Sequence, residues 1–317
     1  MQGFREAPAP ITKAGSNRQW PLYASCQVVW HSFRWLLHTL PADLFQRLAT
    51  PAVRVILFFA VPRRRIVQVL DAAFGQSYAH ATKRGLAKGV QQHFTNSVVD
   101  CLLHIRHPDR LRAHLQIEGL EHLDAALAQG NGVLALSFHM GNFLLVGASL
   151  TLQGYPTHSL FRFFDNARVM ELVHRDSHSF FSSLIPSLPR RQAVKQILET
   201  LKANETVLIL ADNLKRGEIE STLFDQPVRS ARGPISLAIR SGAAVLPMYL
   251  IRDYTGGLKL VIEPEMELAR TGNLSSDIRT NTHRVIRHLE NLVRRYPDQW
   301  HWLTVKMRPK NPQLDRP

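Results

Sequence analysis

Cysteine is nearly missing: Cys26 and Cys101 are the only two in 317 residues. No disulfide framework holds this chain, and both thiols are expected to be buried and inert. Long apolar runs are missing too. The longest near the front, residues 55–61, lies between Arg54 and Arg63, well short of the roughly 20 apolar residues a spanning helix needs. Residues 1–20 carry no uninterrupted apolar stretch of a secretory signal, so neither a leader nor a membrane span is expected. Nucleotide binding has no signature here, since no glycine-rich loop runs into Lys-Ser/Thr and no Gly-x-Gly-x-x-Gly occurs. Gly147-Ala-Ser149 lacks the second glycine of a nucleophile elbow. His174 and His178 stand four apart on a predicted helix without the Glu of a zinc-hydrolase motif, and are read as an exposed pair. No metal is expected.

Acidic residues are scarce as well: 25 Asp and Glu face 39 Lys and Arg, a formal net charge of +14. Such an excess suits nucleic acid, an anionic membrane surface or an acidic protein partner. No zinc-finger spacing and no aromatic RNA-binding signature accompanies it. The cations instead run through segments that also carry Trp, Phe and Leu, a mixture that favours a membrane surface. With 45% apolar residues, a disordered chain is excluded.

The periodicity divides the chain. Residues 1–19 are polar and read as loose. Residues 20–106 are patterned as helices, either core helices or helices lying in a membrane interface. The aromatic-rich stretch 20–40 and the run 44–61 are the main candidates, followed by a longer helix over 77–106. Beyond Pro108, short apolar strands are predicted at 133–137, 157–161, 206–210, 243–251 and 258–262. Helices are predicted at 121–129, 143–152, 167–181, 192–202, 234–240 and 276–295. That alternation predicts an α/β sandwich, a mainly parallel central sheet flanked by helices, over residues 107–310, with a helical N-terminal extension.

The chemistry concentrates in Ser137-Phe-His-Met-Gly-Asn-Phe143. His139 follows a buried strand, and Gly141-Asn142 turns the chain into the next helix. Open α/β sheets place their sites at the carboxyl ends of strands, and a histidine there is placed for general-base work. The alternative is a structural histidine.

From here the sequence resembles a known family. His139-Met-Gly-Asn-Phe is similar to the His-x-Gly-Asn-Trp/Phe signature of bacterial lipid A lauroyl/myristoyl-type acyltransferases, within the lysophospholipid (glycerolipid) acyltransferase superfamily. Further blocks follow in order: Phe161-Arg162-Phe-Phe-Asp165-Asn166, Ala211-Asp212 with Gly217, Thr222-Leu-Phe224-Asp-Gln-Pro227, Gly233 with Leu237-Ala238 and Ser241-Gly-Ala243, and Tyr296-Pro-Asp-Gln299-Trp-His-Trp302. The resemblance covers residues 117–310. It implies transfer of a fatty acyl group from an acyl carrier protein or coenzyme A thioester to a hydroxyl of a membrane lipid or glycolipid. The thioester supplies the energy, so no cofactor is implied. The net charge, the aromatic-rich stretch 20–40 and the lack of a spanning run lead to the expectation of a peripheral place on the cytoplasmic face of a bacterial inner membrane.

One position departs from the family. Its motif sets an acid five positions after the histidine, and Leu144 stands there. Three readings stay open: another carboxylate orients His139, with Asp212 the first choice and Asp165 the second; the enzyme is slow or specialised; or the chain is a degenerate relative that binds acyl chains, lipid or carrier without transfer. Other expectations follow from the residue types. Gly141 and Asn142 would offer backbone N–H groups to the oxyanion. Arg162 would offer a bidentate fork, with Asp165 and Asn166 beside it in the substrate site. Arg229 and Arg232, read as lying in a loop, would hold a lipid or carrier phosphate; the alternative is a pair of solvated surface charges. Trp300 and Trp302 fit either an interfacial anchor or the core.

Overall fold

The computed structural model describes residues 39–161, 183–215, 217–305 and 307. Seven strands form the central sheet: β1 (Leu115–Glu118), β2 (Val133–Ser137), β3 (Thr157–Phe161), β4 (Ser183–Pro186), β5 (Thr206–Leu210), β8 (Ala244–Arg252) and β9 (Leu258–Ile262). Their order is β1-β9-β8-β2-β5-β3-β4. Every neighbouring pair is parallel except β8–β9. The exception has a local cause. Asp253 Oδ1 accepts hydrogen bonds from the backbone N–H groups of Thr255 and Gly257, both at 2.8 Å. That tight turn leaves the chain no length for a crossover, so the two strands must run antiparallel.

β2 is buried at all five positions and β8 at every position but its last. A central strand needs that continuous apolar run, because helices cover both faces. On one face pack α2 (Arg63–Phe74), α7 (Arg190–Lys202), α8 (Gly233–Ser241) and α9 (Leu274–Arg295). On the other lie α4 (Pro108–His114), α5 (Leu120–Leu127) and α6 (Phe143–Leu152). The α/β sandwich expected from the periodicity is the observed fold.

The small strands were not predicted. β6 (Ile219–Leu223) and β7 (Gln226–Ser230) form a separate antiparallel hairpin. Its two turn residues, Phe224 and Asp225, have φ of 51° and 57°, the left-handed pair of a two-residue hairpin turn. Neither is Gly or Asn, so the usual signal is absent. β1 and β4 are four-residue edge strands, too short to show a period. The predicted helix over 167–181 lies outside the described residues.

Before the sandwich come α1 (Ala42–Ala60), α2 and the 27-residue α3 (His80–Arg106). Pro62 separates α1 from α2 at a bend of 63°. Among the described residues no single helix is long and apolar enough to cross a membrane. α2 is built into the core, with Ile66 and Leu70 fully buried and Phe74 packed on Phe224 and Trp302 at 5.2 and 5.5 Å between ring centroids. α3 reaches the sheet edge, where the carbonyl of Ser97 accepts from Asn142 Nδ2 at 3.2 Å. α1 differs. Its outer side leaves Leu48, Val55, Ile56, Phe58 and Phe59 more than half exposed.

Candidate active site

β2 and β5 are parallel and in register, Ser137 opposite Leu210. The residue two places beyond each strand therefore emerges at the same sheet edge: His139 from one, Asp212 from the other. The structure brings them into contact. His139 Nδ1 lies 2.7 Å from Asp212 Oδ1, and the His139 backbone N–H donates to Asp212 Oδ2 at 2.9 Å. The indole Nε1–H of Trp300 donates to the same Oδ2 at 2.9 Å. Asp212 is fully buried, whereas the His139 side chain keeps 26% of its surface exposed. Burial works against the Asp212 carboxylate, but the hydrogen bonds and charge of His139, then the Trp300 bond, outweigh it and hold the carboxyl below its ordinary range. A carboxylate only accepts, so Nδ1 carries a proton and Nε2 is the ring nitrogen left without a bond to Asp212.

The turn after His139 is held rigidly. Gly141 has φ of 58°, and a Cβ there would lie 1.8 Å from the Leu250 carbonyl oxygen, so only glycine fits. Its N–H donates to the Gln299 carbonyl at 2.8 Å, and the N–H of Asn142 donates to the Leu250 carbonyl at 2.7 Å. Asn142 is buried and its side chain is spent on Ser97. The expectation that these two N–H groups face an oxyanion is therefore corrected: both already have backbone partners. They lock the turn that aims His139.

Trp300 and Trp302 are fully buried and pack edge-on at 4.9 Å, with Trp302 Nε1 donating to the Pro297 carbonyl at 2.6 Å. Of the two readings, the core holds. Arg229 sits on strand β7 rather than in a loop, its Nε donating to the Gly217 carbonyl at 3.0 Å and its fork 3.9 Å from Glu220. Arg232 precedes α8, its backbone N–H 3.4 Å from Glu218. Neither arginine contacts His139 or Asp212. Arg162, Asp165, Asn166, the His174–His178 pair and Cys26 lie outside the described residues. Cys101 is half-buried rather than fully buried, and burial, then the charge of Asp100, pushes its thiol up to about 12.

Sequence reasoning missed His301. Its backbone N–H donates to the His139 carbonyl at 2.9 Å, and its ring lies 6.1 Å from that of His139, with Phe94 at 4.4 Å. Burial, then the neighbouring His139, pushes its pKa down to about 4, so near neutral pH it is an uncharged donor and acceptor close to the His139 ring. It occupies the variable position of the closing motif, and only its nearness to His139 marks it. His93 and Asp100 on α3 form a further polar layer behind the turn: His93 Nε2 lies 3.2 Å from Ser97 Oγ, and Asp100 is paired with Arg252.

Comparison with known proteins adds the following. A family model described as bacterial lipid A biosynthesis acyltransferase matches residues 17–308. A phosphatidylinositol mannoside acyltransferase of Mycobacterium tuberculosis (strain CDC 1551 / Oshkosh) is 28% identical over 190 residues, 59% of this chain and 58% of that protein. The protein of the same name from Mycolicibacterium smegmatis is 26% identical over 206 residues, 61% of this chain and 62% of that one. A lipid A biosynthesis palmitoleoyltransferase of Escherichia coli (strain K12) is 28% identical over 202 residues, 62% of each chain. Each match thus spans less than two thirds of the relative's length.

Proposed function

Because the chain belongs to the bacterial lipid A biosynthesis acyltransferase family, we propose that it transfers a fatty acyl group from a thioester donor, acyl carrier protein or acyl-coenzyme A, to a hydroxyl of a membrane glycolipid. The observation that carries this reading is the 2.7 Å contact between solvent-facing His139 and buried Asp212. The missing motif acid is replaced by a carboxylate from the neighbouring strand. That supports a catalytic reading over a binding-only one, despite the leucine at position 144.

His139 Nε2 takes the proton of the acceptor hydroxyl as its oxygen attacks the thioester carbonyl carbon. The imidazolium that forms is stabilised by Asp212, which also fixes ring and tautomer. As the tetrahedral intermediate collapses, the C–S bond breaks and the departing sulfur takes the proton back from Nε2. An ester and a free thiol result, and His139 returns to its neutral state.

A peripheral site on the cytoplasmic face of a bacterial inner membrane fits this acceptor. The exposed apolar side of α1, with Arg54 and the Arg63-Arg64-Arg65 run beside it, supports contact with an anionic lipid surface. The test is acyl transfer from acyl carrier protein and from acyl-coenzyme A to lipid A precursor and phosphatidylinositol mannoside acceptors. Activity in the wild type that His139→Ala abolishes, with donor binding retained, is the expected result. Equal activity in that variant would refute the mechanism.

A further inference from the structure

The chain leaving α9 closes over the turn as a short strand. The Gly141 N–H donates to the Gln299 carbonyl at 2.8 Å and the His301 N–H to the His139 carbonyl at 2.9 Å, on either side of an antiparallel bridge between Met140 and Trp300. From this strand the Trp300 indole reaches Asp212. The Gln299 side chain goes elsewhere, to the end of β8. There its Oε1 accepts from the Arg252 backbone N–H at 2.9 Å, and its Nε2 donates to the Arg252 carbonyl at 2.8 Å.

Those two bonds are the kind a neighbouring strand would make. On one side β8 pairs with β9, Arg252 opposite Leu258. On the other, β2 pairs only as far as Pro247, and single residues finish the edge. The Asn142 N–H donates to the Leu250 carbonyl, and the Gln299 amide takes both backbone groups of Arg252. Gln299 therefore joins parts of the site that lie far apart in the chain. Its side chain grips β8, its carbonyl holds the Gly141 N–H, and its peptide bond carries Trp300. Among the described residues it makes no hydrogen bond to the side chain of His139 or of Asp212. We propose that Gln299 is a positioning residue: its amide seats the strand 299–301 on β8 and so sets both the turn that aims His139 and the indole that holds Asp212. The effect on rate rests on the acyltransferase reading above; the seating of Trp300 rests on the geometry alone.

Length and hydrogen-bonding pattern make this residue hard to replace. Asparagine is one methylene short of Arg252. Glutamate has the length, but ionised it only accepts, so one of its oxygens would face the Arg252 carbonyl with no proton between them. Protonated, the same side chain offers one O–H and one C=O and restores the pair. In Gln299→Glu the clamp thus becomes proton-dependent, which a packing role alone would not produce. The carbonyl it faces and its partial burial favour the protonated form and raise the pH at which the clamp returns. The charged and titratable groups lining the same cleft, Arg252, Asp253, Lys259, Arg295, Asp298 and His93, are common to variant and wild type, as is His301. The ratio of the two activities therefore isolates the new carboxyl.

Steady-state transfer by the full chain as a function of pH tests this, with kcat and both KM values followed separately. Gln299→Ala should lower kcat about 10²-fold, the scale on which a displacement of about 1 Å acts, and move each KM by no more than about two-fold. Gln299→Glu should match that loss at about pH 8.5 and regain about ten-fold, relative to the wild type, by about pH 5.5. Tyr249→Phe removes a hydrogen bond from the same strand, 2.8 Å to Glu263, and should lower the melting temperature without lowering kcat. A Gln299→Glu ratio that stays flat with pH, a variant that does not fold even at the acid end, or an equal loss of kcat in Tyr249→Phe would each overturn the proposal. The indole N–H resonance of Trp300, assigned by its absence in Trp300→Phe, reads the clamp without turnover. It should move upfield in Gln299→Ala, and in Gln299→Glu it should return toward the wild-type position as pH falls. A resonance that neither variant moves would refute the seating of Trp300 whatever the activity. A wild type that transfers nothing while the resonance responds as expected would sink the acyltransferase reading and leave the seating standing.

Discussion

Asp212 is fully buried and takes three hydrogen bonds, two of them from His139 and one from Trp300. Losing such an orienting acid in the serine-protease triad costs about 10⁴-fold in rate. Asp212→Asn should therefore be nearly as damaging to kcat as His139→Ala, and single-turnover kinetics of the two variants check this. Trp300→Phe removes one donor from the carboxylate while keeping an aromatic ring in the core. A hydrogen bond to a charged group is worth about 1.5–3 kcal/mol, so a fall of roughly ten-fold or more in kcat is expected, with the acidic limb of the pH–rate profile displaced. An unchanged profile would make Trp300 a packing residue only. Leu144→Asp should bring no gain, because Nδ1 is already occupied; a faster variant would contradict the assignment of Asp212. At this scale His139 was legible in the sequence, since a histidine just past a buried strand is a local pattern. His301 was not, because nothing in its neighbourhood along the chain points toward His139.

Among the elements, α1 stands apart, since an amphipathic helix normally hides the side that α1 exposes. Its Phe58 and Phe59 are 54% and 75% exposed, so replacing them with serine removes apolar area without opening a cavity. Burial of one such side chain contributes roughly 1.5–3 kcal/mol. Phe58→Ser with Phe59→Ser should lower partition onto anionic vesicles at least about ten-fold at an unchanged melting temperature. Vesicle sedimentation reads this directly, and partition that matches the wild type would remove α1 from the membrane contact. The strands show what a sequence conveys about elements. β2, β3, β5 and β9 occur at the predicted bounds; for β2 and β5 the reason is plain, since a central strand packed on both faces reads as a short apolar run. The hairpin β6–β7 alternates inward and exposed residues, half-buried in most of β6 and buried in β7, with few apolar ones. Its partner is α9, more than 40 residues away, and no local period reports that.

Across the whole molecule, burial is the largest influence on four histidines. It drives His104 and His301 down to about 4 and lowers His93 and His288 as well. Such imidazoles are protonated first in the unfolded chain, near the ordinary value of about 6.5. Their contribution to stability is complete above that pH and drains away as pH falls toward 4. Asp212, held below its ordinary range, adds a second loss once pH falls through the carboxylate region. Asp100, raised chiefly by burial, opposes it there. Urea midpoints should decline steadily from pH 7.5 to 4.5, and a flat profile over that window would contradict the burial of these rings.

The longer strands of the sheet with the helices between them, and the place of His139 at a strand end, were determined by the sequence itself. Each is a short-range pattern of apolar periodicity and turn residues, and the chain reads it within a few positions. The carboxylate that serves His139 was decided only by the tertiary structure. Asp212 was the first of two candidates, and contact across 73 positions of chain selects it, with Trp300 arriving from 88 positions beyond Asp212. The same holds for the N–H groups of Gly141 and Asn142. Sequence placed them beside the histidine, but whether they face a substrate or a strand depends on β8 and the chain after α9 closing over the turn. Local propensity sets which groups are available; only packing sets which of them are already taken.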